Sequence, residues 1–235
     1  MNLKQMAAEQ AAVLVESGMK VGLGTGSTVR FLLEALGRRI QEGTLSEIVC
    51  VPTSEATAAL ARQLNITLTT LEQCPHLDLT IDGADEISPE LYLIKGLGGA
   101  LLREKIVAAA SKRFVIIADD SKRVEQLGSV SPLPVEVLPF GWTSNLPLFE
   151  QLGARPVLRK TDEGQPYVTD NGNYIVDCSF PEGIADPYDT AQRLDAQAGV
   201  LGHGLFLGMA DLAYVGSADG VAVIDVYPSG RSSHR

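Results

Sequence analysis

Helical and strand patterns alternate through the first half of this chain, and that alternation predicts an α/β protein built on an open, mostly parallel sheet with helices on both faces. Two further observations complete the expectation. The strand-like runs are apolar at almost every position, as strands covered on both sides must be. After Gly128 the rhythm changes, with prolines at 132, 134 and 139 followed by short strand and turn patterns, which predicts a small α+β subdomain over residues 133–202. The core is then expected to comprise residues 1–132 and 203–228, with 229–235 a loose tail.

Taken in order, residues 3–16 have an amphipathic helical pattern that Ser17-Gly18 stops, and 20–24 read as the first strand. Thr25-Gly26-Ser27-Thr28 leads into a helix over 29–41. Such a unit of strand, glycine-rich loop and helix offers free backbone N–H groups and hydroxyls at a helix start, which favours a bound phosphate. Ser27 stands where a third glycine would complete G-x-G-x-x-G, and no lysine follows to make a G-K-[ST] loop. A small phosphate ester is therefore expected rather than a dinucleotide or nucleoside triphosphate. Residues 48–51 form a second strand, Thr53-Ser54-Glu55 cap a helix to residue 64, and a short strand covers 66–68.

The chemistry concentrates in residues 78–105. A strand over 77–81 ends in Asp82-Gly83-Ala84-Asp85-Glu86, three carboxylates around a glycine that permits a sharp turn. A second strand over 91–94 delivers Lys95 into Gly96-Leu97-Gly98-Gly99, and a helix carrying Arg103-Glu104-Lys105 begins near Ala100. One helical turn from Glu104 stand Ala100, Leu101, Val107 and Ala108, so its carboxylate projects from an apolar surface, where burial raises a carboxylate pKa. Arg103 and Lys105 have apolar neighbours at the same spacing, and spacing alone does not choose which charge faces a pocket. Carboxylates and a lysine at neighbouring strand and helix ends suit proton transfer on a small anionic substrate.

Residues 113–118 form a further strand ending in Asp119-Asp120-Ser121-Lys122, which reads either as another charged strand end or as a helix cap. The subdomain is expected to hold a strand within 132–139, a helix over 142–152 and a strand over 155–159. A hairpin then joins 167–169 to 174–178 through Asp170-Asn171-Gly172, before a helix over 187–196 and a strand near 200. Residues 212–216 and 221–224 return to the main sheet.

Composition sets limits on partners. A net charge of −10 excludes general attraction to nucleic acid or an anionic membrane. The first residues lack the apolar region and cleavage site of a signal peptide, and no stretch is apolar enough to span a membrane, so a cytoplasmic protein is expected. Cys50, Cys74 and Cys178 are odd in number and widely spaced, as reduced core thiols are. His76, His203 and His234 lack ligand spacing, so no metal is expected.

Four spaced blocks carry a family resemblance: Gly24 to Thr28, Asp82 to Glu86, Lys95 to Ala100 with Arg103-Glu104-Lys105, and Pro132-Leu133-Pro134-Val135-Glu136-Val137. Together they resemble the type A ribose-5-phosphate isomerases over nearly the whole chain. The resemblance implies a Rossmann-like α/β core with a lid-like subdomain, assembly as homodimers or homotetramers, and interconversion of ribose 5-phosphate and ribulose 5-phosphate in the pentose phosphate pathway without metal or cofactor. It further implies that Glu104 transfers the proton, with Lys95, Asp82 and Asp85 beside it. Substrate contacts are implied for Thr25, Gly26, Ser27, Thr28, Asp82, Gly83, Ala84, Asp85, Lys95, Gly96, Leu97, Gly98 and Lys122. The family commonly has glycine where Leu97 stands, so this side chain is expected to turn away from the sugar, into the core or toward a partner subunit. Moving a carbonyl between adjacent carbons needs a base that takes and returns a carbon-bound proton, and a positive group for the enediolate. Glu104 and Lys95 fit these roles, and Asp82 or Asp85 would handle hydroxyl protons. A related sugar-phosphate isomerase or deaminase, or a catalytically silent sugar-phosphate sensor, are the alternative readings.

Overall fold

The computed structural model describes residues 2–225, so the expected tail at 229–235 and His234 lie outside the described residues. In chain order its elements are α1 (Leu3–Ala12), β1 (Lys20–Leu23), α2 (Ser27–Gln41), β2 (Val49–Pro52), α3 (Glu55–Gln63), β3 (Leu79–Asp82), β4 (Glu86–Ile87) and β5 (Leu93–Ile94). There follow α4 (Leu101–Ala109), β6 (Phe114–Asp119), β7 (Leu133–Val137), α5 (Leu146–Gln151), β8 (Arg155–Leu158) and β9 (Tyr174–Ser179). The last are α6 (Pro187–Asp195), β10 (Val200–His203), β11 (Leu205–Phe206), β12 (Leu212–Ser217) and β13 (Gly220–Asp225).

Six strands make the main sheet, in the order β13-β12-β6-β3-β1-β2. All neighbours are parallel except β12 and β13. The central strands β3 and β6 are buried along their whole length, which is why, Thr80 apart, they read as apolar runs until they end in aspartate. On one face α1 packs against β6, β12 and α2 around Ala7, Ala8, Leu32 and Leu36; on the other α4 packs against β3, and its Val107 joins Val51, Cys74 and Leu77 in a small apolar cluster. A second, antiparallel sheet has the order β10-β7-β9-β8 and a core that includes Val135, Phe149, Val176 and Leu194. A third, of three short strands, runs β11-β5-β4 and joins the other two.

Several elements depart from the sequence reading, each for a local reason. The first helix stops at Ala12 rather than 16, because Leu14 and Val15 N–H turn back to the carbonyls three residues earlier and Arg39 Nη1 donates to the Ala12 and Val15 carbonyls. The strand expected at 66–68 is a single bridge between Cys50 and Leu68. Leu91 has a φ of 62°, a turn conformation, so the strand expected over 91–94 is confined to Leu93–Ile94. Glu86 is not part of the acidic turn: it begins β4, and its carboxylate accepts from the N–H groups of Gly128, Val130 and Ser131 at 2.6, 2.8 and 2.5 Å. The hairpin expected around Asp170-Asn171-Gly172 pairs only at Val168 and Tyr174, and β9 takes β7 and β8 as its neighbours. The helix expected over 142–152 divides into a 3-10 turn, Trp142–Asn145, and α5.

Candidate active site

The C-terminal ends of β1 and β3, the end of β5 and the first turns of α2 and α4 converge, as open α/β sheets commonly arrange their sites. Lys95 lies at the centre. Its Nζ stands 3.0 Å from Asp82 Oδ2 and 3.3 Å from Glu104 Oε1, and donates to the Gly83 carbonyl at 2.7 Å. All three side chains are buried. Asp82 Oδ1 accepts from the backbone N–H of Thr25 at 3.0 Å and of Gly83 at 2.7 Å, while Oδ2 meets Lys95 as an ion pair rather than a well-aimed hydrogen bond. Gly24 makes this possible: a Cβ there would stand 2.0 Å from Asp82 Oδ1 and 2.6 Å from Asp82 Cα.

Two carboxylates sharing one ammonium out of water cannot both ionise freely. Burial pushes the Glu104 pKa up to about 8, the charge of Asp82 adding to the rise and Lys95 opposing it. Burial also raises that of Asp82, against the pull of Lys95 and the two N–H groups. Burial works against the Lys95 ammonium, but Asp82 and Glu104 outweigh it and hold its pKa above the ordinary lysine value. The upward shift of Asp82 and the ion pair it makes point in opposite directions. The geometry distinguishes the two carboxylates, because Asp82 has two N–H donors and an ammonium whereas Glu104 has the ammonium alone and is the less stabilised anion. Glu104 Oε2 has no hydrogen-bond partner among the described residues.

From this cluster a cleft of about 110 Å³ extends to the start of α2. Gly26 precedes that helix at φ 121°, ψ 179°, a conformation that favours glycine, and the helix presents first-turn N–H groups that have no acceptor within the helix. Ser27, Thr28, Lys122 and Lys4 line this end. Lys4 was not foreseen. It reaches the cleft from α1, donating to Ser27 Oγ at 2.9 Å, and no spacing within the sequence connects the two. The Thr25 hydroxyl is committed elsewhere, to a cluster with Thr53, Ser54 and Thr57 at 2.8, 2.9 and 3.3 Å that ties the loop to the start of α3.

Of the residues expected at the site, Thr25, Gly26, Ser27, Thr28, Gly83, Ala84, Asp85, Lys95, Gly96, Gly98, Glu104 and Lys122 line this one cleft. Asp82 lies behind it, fully buried against Lys95. Leu97 does not line it. Its side chain is 40% exposed, so it enters no core, and its backbone is held at both ends, the N–H by Asp85 Oδ2 at 2.9 Å and the carbonyl by Arg159 Nη1 at 3.0 Å. Arg159 was also unforeseen, since its partners there are backbone carbonyls. Two larger hollows, of about 510 and 550 Å³, lie elsewhere, but neither contains the buried carboxylates and lysine that proton transfer needs.

Comparison with known proteins identifies the family of the whole chain. The family model described as ribose 5-phosphate isomerase A (phosphoriboisomerase A) matches residues 49–220. The chain is 56% identical to a ribose-5-phosphate isomerase A of Roseiflexus castenholzii over 94% of both chains. It is 46% identical to a probable chloroplastic ribose-5-phosphate isomerase 3 of Arabidopsis thaliana, over 95% of this chain and 83% of the relative. Among solved structures, the ribose 5-phosphate isomerase of Plasmodium falciparum superposes with a TM-score of 0.91 at 42% identity, covering 95% of this chain and 97% of that one. A D-ribose-5-phosphate isomerase in complex with phospho-erythronic acid superposes with a TM-score of 0.92 at 38% identity, covering 96% of this chain and 100% of that one.

Proposed function

The chain belongs to the ribose 5-phosphate isomerase A family, and we propose that its interconversion of ribose 5-phosphate and ribulose 5-phosphate runs in this cleft through an enediolate, with Glu104 as the proton-transferring base. The observation that carries the assignment is Glu104 Oε2, a buried carboxylate oxygen at the cleft without a partner among the described residues. Glu104 takes the proton from C2 of the open-chain aldose, the electron pair of that bond moves into the C1–C2 bond, and the carbonyl oxygen on C1 becomes negative. Lys95, 3.3 Å from Glu104, is the positive group that stabilises this charge. Returning the same proton to C1 yields the ketose, while Asp85 at the cleft or Asp82 behind it handles the hydroxyl proton. The phosphate belongs at the start of α2, between Ser27, Thr28, Lys4 and Lys122, where helix N–H groups and two ammonium groups meet it.

Replacing Glu104 by Gln keeps the shape and removes the base. Turnover should fall by at least ~10², with inhibition by phospho-erythronic acid, whose carboxylate has the planar charge of an enediolate, kept within about threefold. Near-normal turnover would reject Glu104. We further propose a cytoplasmic setting within the pentose phosphate pathway, supported by three free, buried cysteines. Assembly as a homodimer or homotetramer is proposed as well, supported by exposed Leu138, Phe140 and Leu201 near the end of β7 and on β10; a monomer in sedimentation velocity would reject it.

A further inference from the structure

Arg159 follows β8 and reaches from the antiparallel sheet to the glycine loop of the cleft. Its anchorage is firm. Nε and Nη2 donate to Asp177 on β9 at 2.9 and 2.5 Å, a two-pronged ion pair that is largely buried. Its own backbone is pinned on both sides, the N–H to the Ile175 carbonyl at 2.8 Å and the carbonyl to the Tyr167 N–H at 2.9 Å. Its guanidinium lies 5.8 Å from the centre of the Tyr167 ring, whose hydroxyl sits where a Cβ on Gly99 would be, 2.2 Å away. From this platform Nη1 donates at 3.0 Å to both the Gly96 and the Leu97 carbonyls.

Those two bonds orient two successive peptide groups. The Gly96–Leu97 peptide is held at both ends, by Arg159 at the carbonyl and Asp85 at the N–H. In the next peptide Arg159 holds the Leu97 carbonyl, while the Gly98 N–H has no partner among the described residues. A trans peptide directs its C=O and N–H to opposite sides, and no described peptide is cis. The Gly98 N–H therefore points away from Arg159, and Gly98 lines the cleft. A cation on the carbonyl also polarises the peptide and strengthens its N–H as a donor.

We propose that Arg159 is a positioning residue for the isomerisation: it turns the Leu97–Gly98 peptide so that the Gly98 N–H donates to the oxygen that becomes negative when Glu104 takes the carbon-bound proton. No covalent bond to the protein forms, and the N–H keeps its proton. The proposal rests on the isomerase reading of the cleft. It also accounts for a leucine in a glycine-rich loop, because the fixed backbone, not the side chain at 97, presents the donor.

The test compares the wild-type protein with Arg159→Met, Arg159→Lys and Asp177→Asn, each first shown to be folded by its thermal melt. Measured are kcat and KM for ribose 5-phosphate and the inhibition constants of phospho-erythronic acid and inorganic phosphate. Loss of the fork should lower kcat in Arg159→Met by about 30- to 100-fold, with phospho-erythronic acid binding weakened in parallel and inorganic phosphate unchanged within about twofold. Lysine, a single point charge, should restore less than half of the loss on a logarithmic scale. Asp177→Asn, which keeps the guanidinium but loosens its anchor, should show the same pattern to a smaller degree and decides the matter if Arg159→Met does not fold. A fall in kcat below about threefold would overturn the proposal. So would a fall with phospho-erythronic acid binding unchanged, which is what a merely structural arginine produces. A wild-type protein without isomerase activity would instead sink the reading of the cleft itself.

Discussion

Glu104 earns its position by contrast with its neighbours on α4. Arg103 turns outward, to Glu55 at 2.9 Å and to Asn171 at 2.8 Å, and Lys105 turns under Phe206 to the Leu205 carbonyl at 2.8 Å. Three consecutive charges thus take three directions, which helical spacing could not separate because all have apolar neighbours. What the sequence did reveal was the apolar ring around Glu104, and that ring is the first cause of its raised pKa. The pH dependence follows. A base must be ionised to act, and in the proposed role Glu104 is protonated below its folded pKa, so kcat/KM should fall as pH drops through an apparent pKa near 8, well above an ordinary glutamate. Because the Asp82 charge contributes to that rise, Asp82→Asn should move the acid limb to lower pH even as it reduces the maximum rate. A limb that stays in place, in a pH–rate series on the two proteins, would separate Glu104 from Asp82.

At the scale of elements, the site depends on how closely strand ends approach one another, and glycines set those distances. Gly24 at the end of β1 lies against the Asp82 backbone, which cannot swing aside as a flexible side chain could. Gly24→Ala should therefore push β1 and β3 apart, costing about 1–3 kcal/mol as overpacking does, and should take activity with it by displacing Asp82 from Lys95. An alanine variant with unchanged urea stability and turnover would show that the strand ends yield. Leu97 gives the opposite expectation. Its side chain is exposed and its backbone is tied by Asp85 and Arg159, so Leu97→Gly should leave KM within about threefold and lower stability only by about 0.5–1 kcal/mol through added backbone freedom. A large change in KM would mean that the leucine side chain meets the sugar.

Across the whole molecule, the main sheet was legible because its strands are apolar runs that end in charge, and period and punctuation both report such strands. The antiparallel sheet was less so. Its partners are chosen by long-range pairing, β7 with β9 and β10, which no local pattern encodes; hence the sequence reads locally as a hairpin where β9 instead runs between β7 and β8. Lys4 and Arg159 escape a sequence reading for the same reason, since each acts across a long sequence separation and belongs to no motif of its own. The separation of residues 133–202 as a subdomain remains a proposal, and the contacts between the sheets bear on how independent it is. The Lys95 N–H donates to the Gly204 carbonyl at 2.9 Å, and a Cβ on Gly204 would stand 2.2 Å from the Lys95 carbonyl. Arg103 binds the Asp170 carbonyl at 3.1 Å, and Asp170 Oδ2 accepts from the Glu55 N–H at 2.8 Å, while α4 packs on β7 and β10. With the Lys95 loop and α4 shared between both sheets, neither should unfold alone. Trp142 is the single tryptophan and packs, partly buried, against the antiparallel sheet's core, whereas α1 and α2 pack in the core of the main sheet. Urea unfolding followed by Trp142 fluorescence and by far-ultraviolet circular dichroism should therefore give coincident transitions. If the fluorescence transition came first, the small sheet would be a separately melting lid, and the fixed wall that Arg159 needs would be lost before the site itself unfolds.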